Sequence, residues 1–263
     1  MKWRWVLAVS LCLAGAGPSA GQSPDAVDLE LVLAVDVSYS MDIEEQRLQR
    51  AGYVAAFRRP EIVRAVRRGA LGRIAVTYVE WGGTAVQIVP WTVIEDSETA
   101  WQFAGALSRQ PIRRISFTSI SNALGFSRAL LQSNPFSGSR RVIDISGDGP
   151  NNAGVPAPVG RNTTIAQGIV IDGLPIMLKT APDSASIPDL DVYYRECVIG
   201  GEGAFLLKVS DVGQFGQAIL NKLVIEISGL KVSAIEEGLS RVAYQEPYNC
   251  FIGEEMQERS IGR

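Results

Sequence analysis

Residues 29–42 read Leu-Glu-Leu-Val-Leu-Ala-Val-Asp-Val-Ser-Tyr-Ser-Met-Asp. The apolar run at residues 31–35 is rich in Val and Leu and too short for a typical helix, so it predicts a strand buried on both faces, as in a parallel sheet. Beyond it, Asp36, Ser38 and Ser40 place short oxygen-bearing side chains at every second position. Ligands of open α/β sheets bind at this carboxyl end of the strands, and one carboxylate with two hydroxyls suits a hard cation. The alternative is a polar turn that only caps the next helix.

The composition excludes several classes of function. With 25 Lys and Arg against 28 Asp and Glu, the chain has a formal net charge of −3, which gives no indication of a nucleic-acid partner. It contains no His. That absence rules out Ser-His-Asp and Cys-His nucleophiles, His general bases and metal sites that need imidazole. The length of 263 residues fits one domain of about 200 residues with extensions.

Residues 1–21 are typical of a secretory signal. Lys2 and Arg4 supply a positive start, an apolar stretch covers residues 6–16, and small residues follow. The apolar stretch is shorter than the roughly 20 residues that span a bilayer, although an uncleaved anchor is the alternative. We therefore expect export to the periplasm or the extracellular space, with no transmembrane span in the mature chain.

Cleavage of this signal would leave only two cysteines, Cys197 and Cys250. Two cysteines in an exported protein suggest a disulfide, with two buried free thiols as the alternative. A closed loop of this length would stabilise the fold by roughly 4 kcal/mol in the chain-entropy description.

Hydrophobic periodicity divides the rest of the chain into strands and helices. We expect strands at residues 28–37, 73–81, 85–93, 141–146, 168–178 and 204–209. We expect helices at residues 41–57, 60–68, 98–107, 119–132, 157–167, 189–198 and 212–227. Pro90 lies inside a strand and indicates a sheet edge, because proline cannot donate to a neighbouring strand. Asp144 lies inside a strand that should be buried, so it needs either a partner or a hydrated face.

The segment from Asp36 to Ser40 matches the Asp-x-Ser-x-Ser signature of von Willebrand factor type A (vWA) domains, and residues 27–228 resemble that family. The resemblance implies an α/β fold with a doubly wound, mostly parallel central sheet, one antiparallel edge strand and helices on both faces. The chain then divides into a signal peptide at 1–21, a vWA domain at 22–228 and a C-terminal extension of unassigned role at 229–263. Within the family, the Ser-Gly-Asp-Gly-Pro-Asn-Asn stretch at 146–152 is most similar to exported bacterial members of unknown function.

In the vWA family this signature belongs to a metal-ion-dependent adhesion site (MIDAS). This site also uses a Thr from a later loop and an Asp from a later strand end. Thr118 is the match for the Thr, with Ser116 and Ser119 as nearby alternatives. Asp148, in an Asp-Gly pair, is the match for the Asp. The metal residues that the resemblance implies are Asp36, Ser38, Ser40, Thr118 and Asp148.

An all-oxygen set of this kind selects Mg²⁺, Mn²⁺ or Ca²⁺ over zinc or copper. Family resemblance further implies that the cation keeps an open position for a carboxylate of a protein partner. Arg113 and Arg114, just before Thr118, are either an attraction for such an acidic partner or a solvated basic loop. We expect a binding protein and not an enzyme, because the segment supplies no obvious nucleophile or base.

The sequence is also compatible with two alternatives. The apolar strand ending in Asp36 and the Gly-Asp-Gly-Pro-Asn stretch at 147–151 are also similar to phosphatases of the haloacid dehalogenase type. That reading lacks two parts: Ser38 stands where a second Asp acts as general acid, and no Lys lies between Thr118 and Asp148. The other alternative is a vWA scaffold that binds proteins without a metal.

Overall fold

The computed structural model describes residues 25–178, 186–230 and 247–262. The predicted signal at 1–21 and residues 231–246 of the extension lie outside the described residues. The strands are β1 (Asp25–Asp36), β2 (Ile74–Trp81), β3 (Ala85–Ile94), β4 (Phe136–Gly147) and β5 (Val170–Pro175). The helices are α1 (Ile43–Phe57), α2 (Pro60–Val66), α3 (Ser97–Ser108), α4 (Ile120–Ser133), α5 (Ala157–Ile165), α6 (Leu190–Tyr193), α7 (Phe215–Ser228) and α8 (Ile252–Ile261). Helix α6 continues as a π-helical turn, Tyr194–Val198, and a 3₁₀ turn, Val212–Gln214, precedes α7.

The five strands form one sheet in the order β3-β2-β1-β4-β5. Strand β1 is parallel to β2 and β4, β4 is parallel to β5, and β3 runs antiparallel to β2 at the edge. The predicted sheet is confirmed, and Pro90 lies exposed in the edge strand, as expected. Strand β1 is central because its apolar run can be covered on both faces.

Helices cover both faces of the sheet, as predicted. Alternate side chains of β1 point to opposite faces, so Leu31 and Leu33 join one hydrophobic cluster while Val32 and Ala34 join another. The first cluster is closed by α1, α2, α3 and α7, and the second by α4, α5 and the α6 region. This arrangement leaves the carboxyl ends of β1 and β4 side by side at one end of the sheet.

The expected strand at 204–209 is wrong. This segment does run beside β5: Leu207 N–H donates to the Gly173 carbonyl (3.1 Å), and Val209 N–H donates to the Pro175 carbonyl (3.0 Å). Between these bonds the Pro175 nitrogen has no hydrogen to donate. The ladder is therefore interrupted, and the segment makes only isolated bridges.

The buried Asp144 has a partner. Lys222 of α7 places its Nζ 2.6 Å from Asp144 Oδ1, and the same ammonium contacts the carboxylate of Glu226 one helical turn later. Asp172 of β5 lies beside Asp144 in the strand register. All four side chains are buried, so α7 and the sheet enclose a charge cluster within the core.

The C-terminal residues return to the domain. Cys250 forms a disulfide with Cys197, which confirms the predicted pairing, and α8 follows directly. Within the described part of the chain, none of the helices combines the length and the apolar character needed to cross a bilayer.

Candidate metal site

The candidate site lies at the carboxyl ends of β1 and β4. Asp36 is the last residue of β1, and its Oδ1 accepts a hydrogen bond from Ser38 N–H (2.7 Å). The hydroxyl oxygens of Ser38 and Ser40 are 2.7 Å apart, and Ser40 Oγ donates to Asp148 Oδ1 (2.5 Å). The structure thus brings these four predicted metal residues together in one chain of hydrogen bonds.

Thr118 lies on the adjoining loop, immediately before α4. Its N–H donates to Asn152 Oδ1 (2.8 Å), and Asn152 N–H donates back to the Thr118 carbonyl (2.8 Å), which ties this loop to the one that carries Asp148. The N-cap of α4 is Ser119, whose hydroxyl accepts from Asn122 N–H. Because Ser119 is used as the cap, Thr118 is the better candidate ligand of the two, and its side chain is buried.

Asp36 has a free acceptor in a place where water has little access. The side chain is fully buried, and its Oδ2 has no hydrogen-bond partner among the residues that the structure describes. Burial, and then the nearby carboxylate of Asp148, raise the pKa of Asp36 to about 8. Burial and a second carboxylate both disfavour the charged form of Asp36, so a proton or a cation at this carboxylate is favoured.

This donor set fits a hard divalent cation. Carboxylate and hydroxyl oxygens are the ligands that Mg²⁺ and Ca²⁺ prefer. Across residues 25–178, 186–230 and 247–262, no group of three or more His, Cys, Asp or Glu side chains is placed to hold a metal. Any cation at this site would therefore depend on the hydroxyls of Ser38, Ser40 and Thr118 as well as on the two carboxylates.

Helix α1 holds the signature in place through two glutamines that were not among the residues predicted for the site. Gln49 Nε2 donates to the Asp36 carbonyl (3.1 Å), and Gln46 Nε2 approaches the Ser38 carbonyl (3.5 Å). Both glutamines are buried, and a capping box fixes the first turn of the helix that carries them. The sequence did contain an indication of this role: two Gln residues lie three positions apart, and so on one face, of a helix expected to pack on the sheet.

Aromatic side chains stand at the rim of the site. Tyr39, between the two signature serines, is 61% exposed, and Phe117, next to Thr118, is 51% exposed. Phe117 also has a φ of 63°, which is rare for a residue with a side chain. The Arg114 guanidinium lies over the Tyr39 ring (4.9 Å to its centroid) and donates to the Tyr39 carbonyl (2.8 Å). Arg114 is thus engaged with Tyr39, in contrast to a fully solvated basic residue.

The sheet order, the paired strand ends and the helices on both faces define a vWA fold. A von Willebrand factor type A protein from Catenulispora acidiphila matches with a TM-score of 0.53 at 13% identity, over 77% of this chain and 43% of that one. Proximal thread matrix protein 1 from the mussel byssus, with a zinc-occupied MIDAS motif, matches at 0.54 and 13% identity, over 78% and 47%. The pilus adhesin SpaC from Lactobacillus rhamnosus GG matches at 0.55 and 13% identity, over 79% and 31%. The chain spans less than half the length of each, and the likeness concerns the fold.

Residues 26–231 match the sequence model of the family described as "Protein of unknown function (DUF1194)". The chain belongs to this family. A comparison with curated proteins gives no match.

Proposed function

We propose that this protein is an exported binding protein that holds a divalent cation and uses it to bind a carboxylate of a protein partner. The residues proposed to hold the cation are Asp36, Ser38, Ser40, Thr118 and Asp148. The observation that carries the proposal concerns the buried Oδ2 of Asp36, at the end of the hydrogen-bonded chain that leads to Asp148. This oxygen has no hydrogen-bond partner among the described residues. A bound Mg²⁺, Mn²⁺ or Ca²⁺ would supply the positive charge that these two carboxylates lack.

The chemistry of the site favours binding. Hydroxyls supply much of the donor set, so a cation held there keeps more of its charge than one held by carboxylates alone. A partner carboxylate is the natural group to complete such a shell. The solved neighbours support this reading by analogy only: one holds zinc at its MIDAS motif, and another is a pilus adhesin.

The rim suggests what surrounds the partner's carboxylate. Tyr39 and Phe117 are exposed aromatic side chains directly adjacent to proposed ligands, and aromatic residues are common anchors in protein interfaces. We infer that the partner presents its acidic residue next to an apolar side chain. The Cys197–Cys250 disulfide supports the proposed export, because disulfides persist in oxidising compartments.

A metal titration of the purified protein tests the proposal. After chelation, melting temperature and binding heat are followed with Mg²⁺, Mn²⁺ and Ca²⁺ for wild type, Ser38→Ala and Asp148→Ala. A cation that binds the native state and not the unfolded chain raises the free energy of unfolding, by about 2.7 kcal/mol at a cation concentration of 100 Kd. Ser108→Ala is the matched control, because that hydroxyl is exposed and donates to the Gly105 carbonyl of its own helix.

A stabilisation that both site variants abolish and Ser108→Ala retains would support the proposal. No response of the wild type at millimolar cation would overturn it. Hydrolysis of p-nitrophenyl phosphate that Asp36→Asn abolishes would instead favour the phosphatase alternative, in which the same aspartate is a nucleophile.

A further inference from the structure

The loop that carries Asp148 depends on a buried asparagine. Asn151 is fully buried, and its Oδ1 accepts from Ser121 N–H in the first turn of α4 (3.2 Å). Its backbone N–H donates to Tyr193 Oη (3.1 Å). Its Nδ2 donates to the Val155 carbonyl (3.2 Å) and, at 2.7 Å, to the carboxylate of Glu254. Through its side chain and its backbone N–H, Asn151 thus joins the loop after β4 to α4, to the α6 region and to the C-terminal helix.

Helix α8 lies directly on this loop. A Cβ atom added to Gly253 would lie only 2.0 Å from the Asn151 carbonyl oxygen and 3.1 Å from the Pro150 side chain. The backbone of α8 can approach this closely only because residue 253 is glycine. The neighbouring Glu254 can then reach the Asn151 amide.

The segment before α8 is anchored at several points. Cys250 is bonded to Cys197 in the π-helical turn. Tyr248 Oη donates to Asp189 Oδ2 (2.9 Å), and the Tyr248 ring packs edge-on against Tyr193, 6.2 Å between centroids. Tyr193 is the same residue that accepts from Asn151. The anchor and the loop therefore share one supporting side chain.

We infer that residues 247–262 position the Asp148 loop and thereby set the affinity of the candidate site for its cation. The inference rests on the proposed function and assigns a role to a segment beyond residues 26–231, where the family match ends. Glu254 is a positioning residue, because it acts on the loop through the side-chain amide of Asn151. Because Asn152 is bonded to Thr118 and Asn151 to Ser121, a displaced loop would move the proposed ligands Asp148 and Thr118 together.

The experiment compares Glu254→Ala with Glu254→Gln, which keeps an acceptor oxygen for the Asn151 amide. Glu258→Ala is the matched control, an exposed glutamate on the same helix. Mg²⁺ affinity is measured by calorimetry, and amide hydrogen exchange of residues 147–152 is measured after chelation. Loss of a supporting outer-shell contact typically costs about 10- to 100-fold in metal affinity.

We expect Glu254→Ala to weaken Mg²⁺ binding about 10-fold or more and to speed exchange at Asn151 and Asn152. Glu254→Gln should restore both values to near wild type, and Glu258→Ala should change neither. The double variant Cys197→Ser/Cys250→Ser should act in the same direction as Glu254→Ala.

The exchange measurement separates this inference from the proposed function. If the wild type binds no cation but Glu254→Ala loosens residues 147–152, the proposed function fails and the positioning role stands. Two results would overturn the inference. One is an exchange rate at residues 147–152 that Glu254→Ala leaves unchanged. The other is a wild type that binds Mg²⁺ and a Glu254→Ala variant that binds it equally tightly.

Discussion

Tyr194 and Asp36 approach each other across Gly147, at the floor of the candidate metal site. A Cβ atom on Gly147 would lie 2.8 Å from both Tyr194 Oη and Asp36 Oδ2, and 3.2 Å from the Trp81 ring. The hydroxyl of Tyr194 and Oδ2 of Asp36 are both buried without a hydrogen-bond partner among the described residues. The φ of Gly147 is not positive, so the backbone conformation alone would accept other residues. Glycine is required at 147 because these side chains leave no room for a Cβ atom.

Gly147→Ala should therefore destabilise the protein and abolish its response to divalent cations. Overpacking of this kind typically costs about 1–3 kcal/mol, and the displaced carboxylate is a proposed ligand. The matched control is Gly216→Ala, where an added Cβ meets nothing within 4 Å on an exposed face of α7. Alanine there should be neutral or stabilising by up to about 1 kcal/mol. Urea denaturation with and without Mg²⁺ measures both, and equal effects of the two substitutions would contradict the argument.

Lys222→Met should be strongly destabilising. It leaves Asp144 and Glu226 buried without their shared ammonium, and breaking a buried pair in this way costs about 3–5 kcal/mol. Lys208→Met is the comparison, because Lys208 pairs with Asp191 at 3.0 Å on the surface and is 55% exposed. Such a pair is worth no more than about 1 kcal/mol. Chemical denaturation of both variants checks the difference, and similar losses would refute it.

The free energy of unfolding should decrease as the pH rises from about 4 to about 6, because Asp172 loses its proton in this range. Burial, opposed by Lys222, raises the pKa of this carboxyl from 3.8 to about 6. The folded protein thus holds a proton that the unfolded chain has released, so this contribution is full below pH 4 and is lost as the pH rises through 6. Asp144 and Glu226 also face the group, and the pKa of Glu226 is raised in the same direction, mainly by burial.

Asp172→Asn isolates that contribution. The amide oxygen can still accept from Phe205 N–H, the 2.9 Å bond that the carboxylate makes, but the side chain no longer titrates. The free energy of unfolding of Asp172→Asn should show a shallower decline than wild type between pH 4 and pH 6. Parallel pH profiles for the two proteins would contradict the assignment.

Phe117→Gly should give a more stable protein than Phe117→Ala. Both substitutions remove the exposed ring, but only glycine adopts the observed φ of 63° at little cost. An L-residue in this region carries of order 1–3 kcal/mol of strain, partly offset by the greater freedom of glycine in the unfolded chain. We expect a difference of about 1 kcal/mol in thermal or urea unfolding. An alanine variant as stable as the glycine variant would show that no strain is stored there.

The sheet and the candidate ligands could be predicted because local sequence determines them. An apolar run such as residues 31–35 has few ways to be buried, and Asp36, Ser38 and Ser40 follow it directly. The partners of Asp144 and Asn151 could not be predicted, because Lys222 lies 78 residues from Asp144 and Glu254 lies 103 residues from Asn151. Only the folded packing of α7 and α8 brings these groups together.

The prediction of a strand at residues 204–209 is wrong for a different reason. Its own residues permit an extended conformation, and the segment does bond to β5. The interruption comes from Pro175, which belongs to the neighbouring strand. Pairing depends on two segments at once, and periodicity within one of them carries no information about the donors of the other.

Pro90 and the 204–209 segment lie along the two opposite margins of the sheet. Open sheet margins invite other chains to add strands, which leads to aggregation. At the β3 margin Pro90 removes a backbone donor, and at the β5 margin residues 204–209 already engage the backbone of Gly173 and Pro175. The same interrupted pairing that defeats sequence-based assignment thus discourages polymerisation through the β5 edge of the sheet.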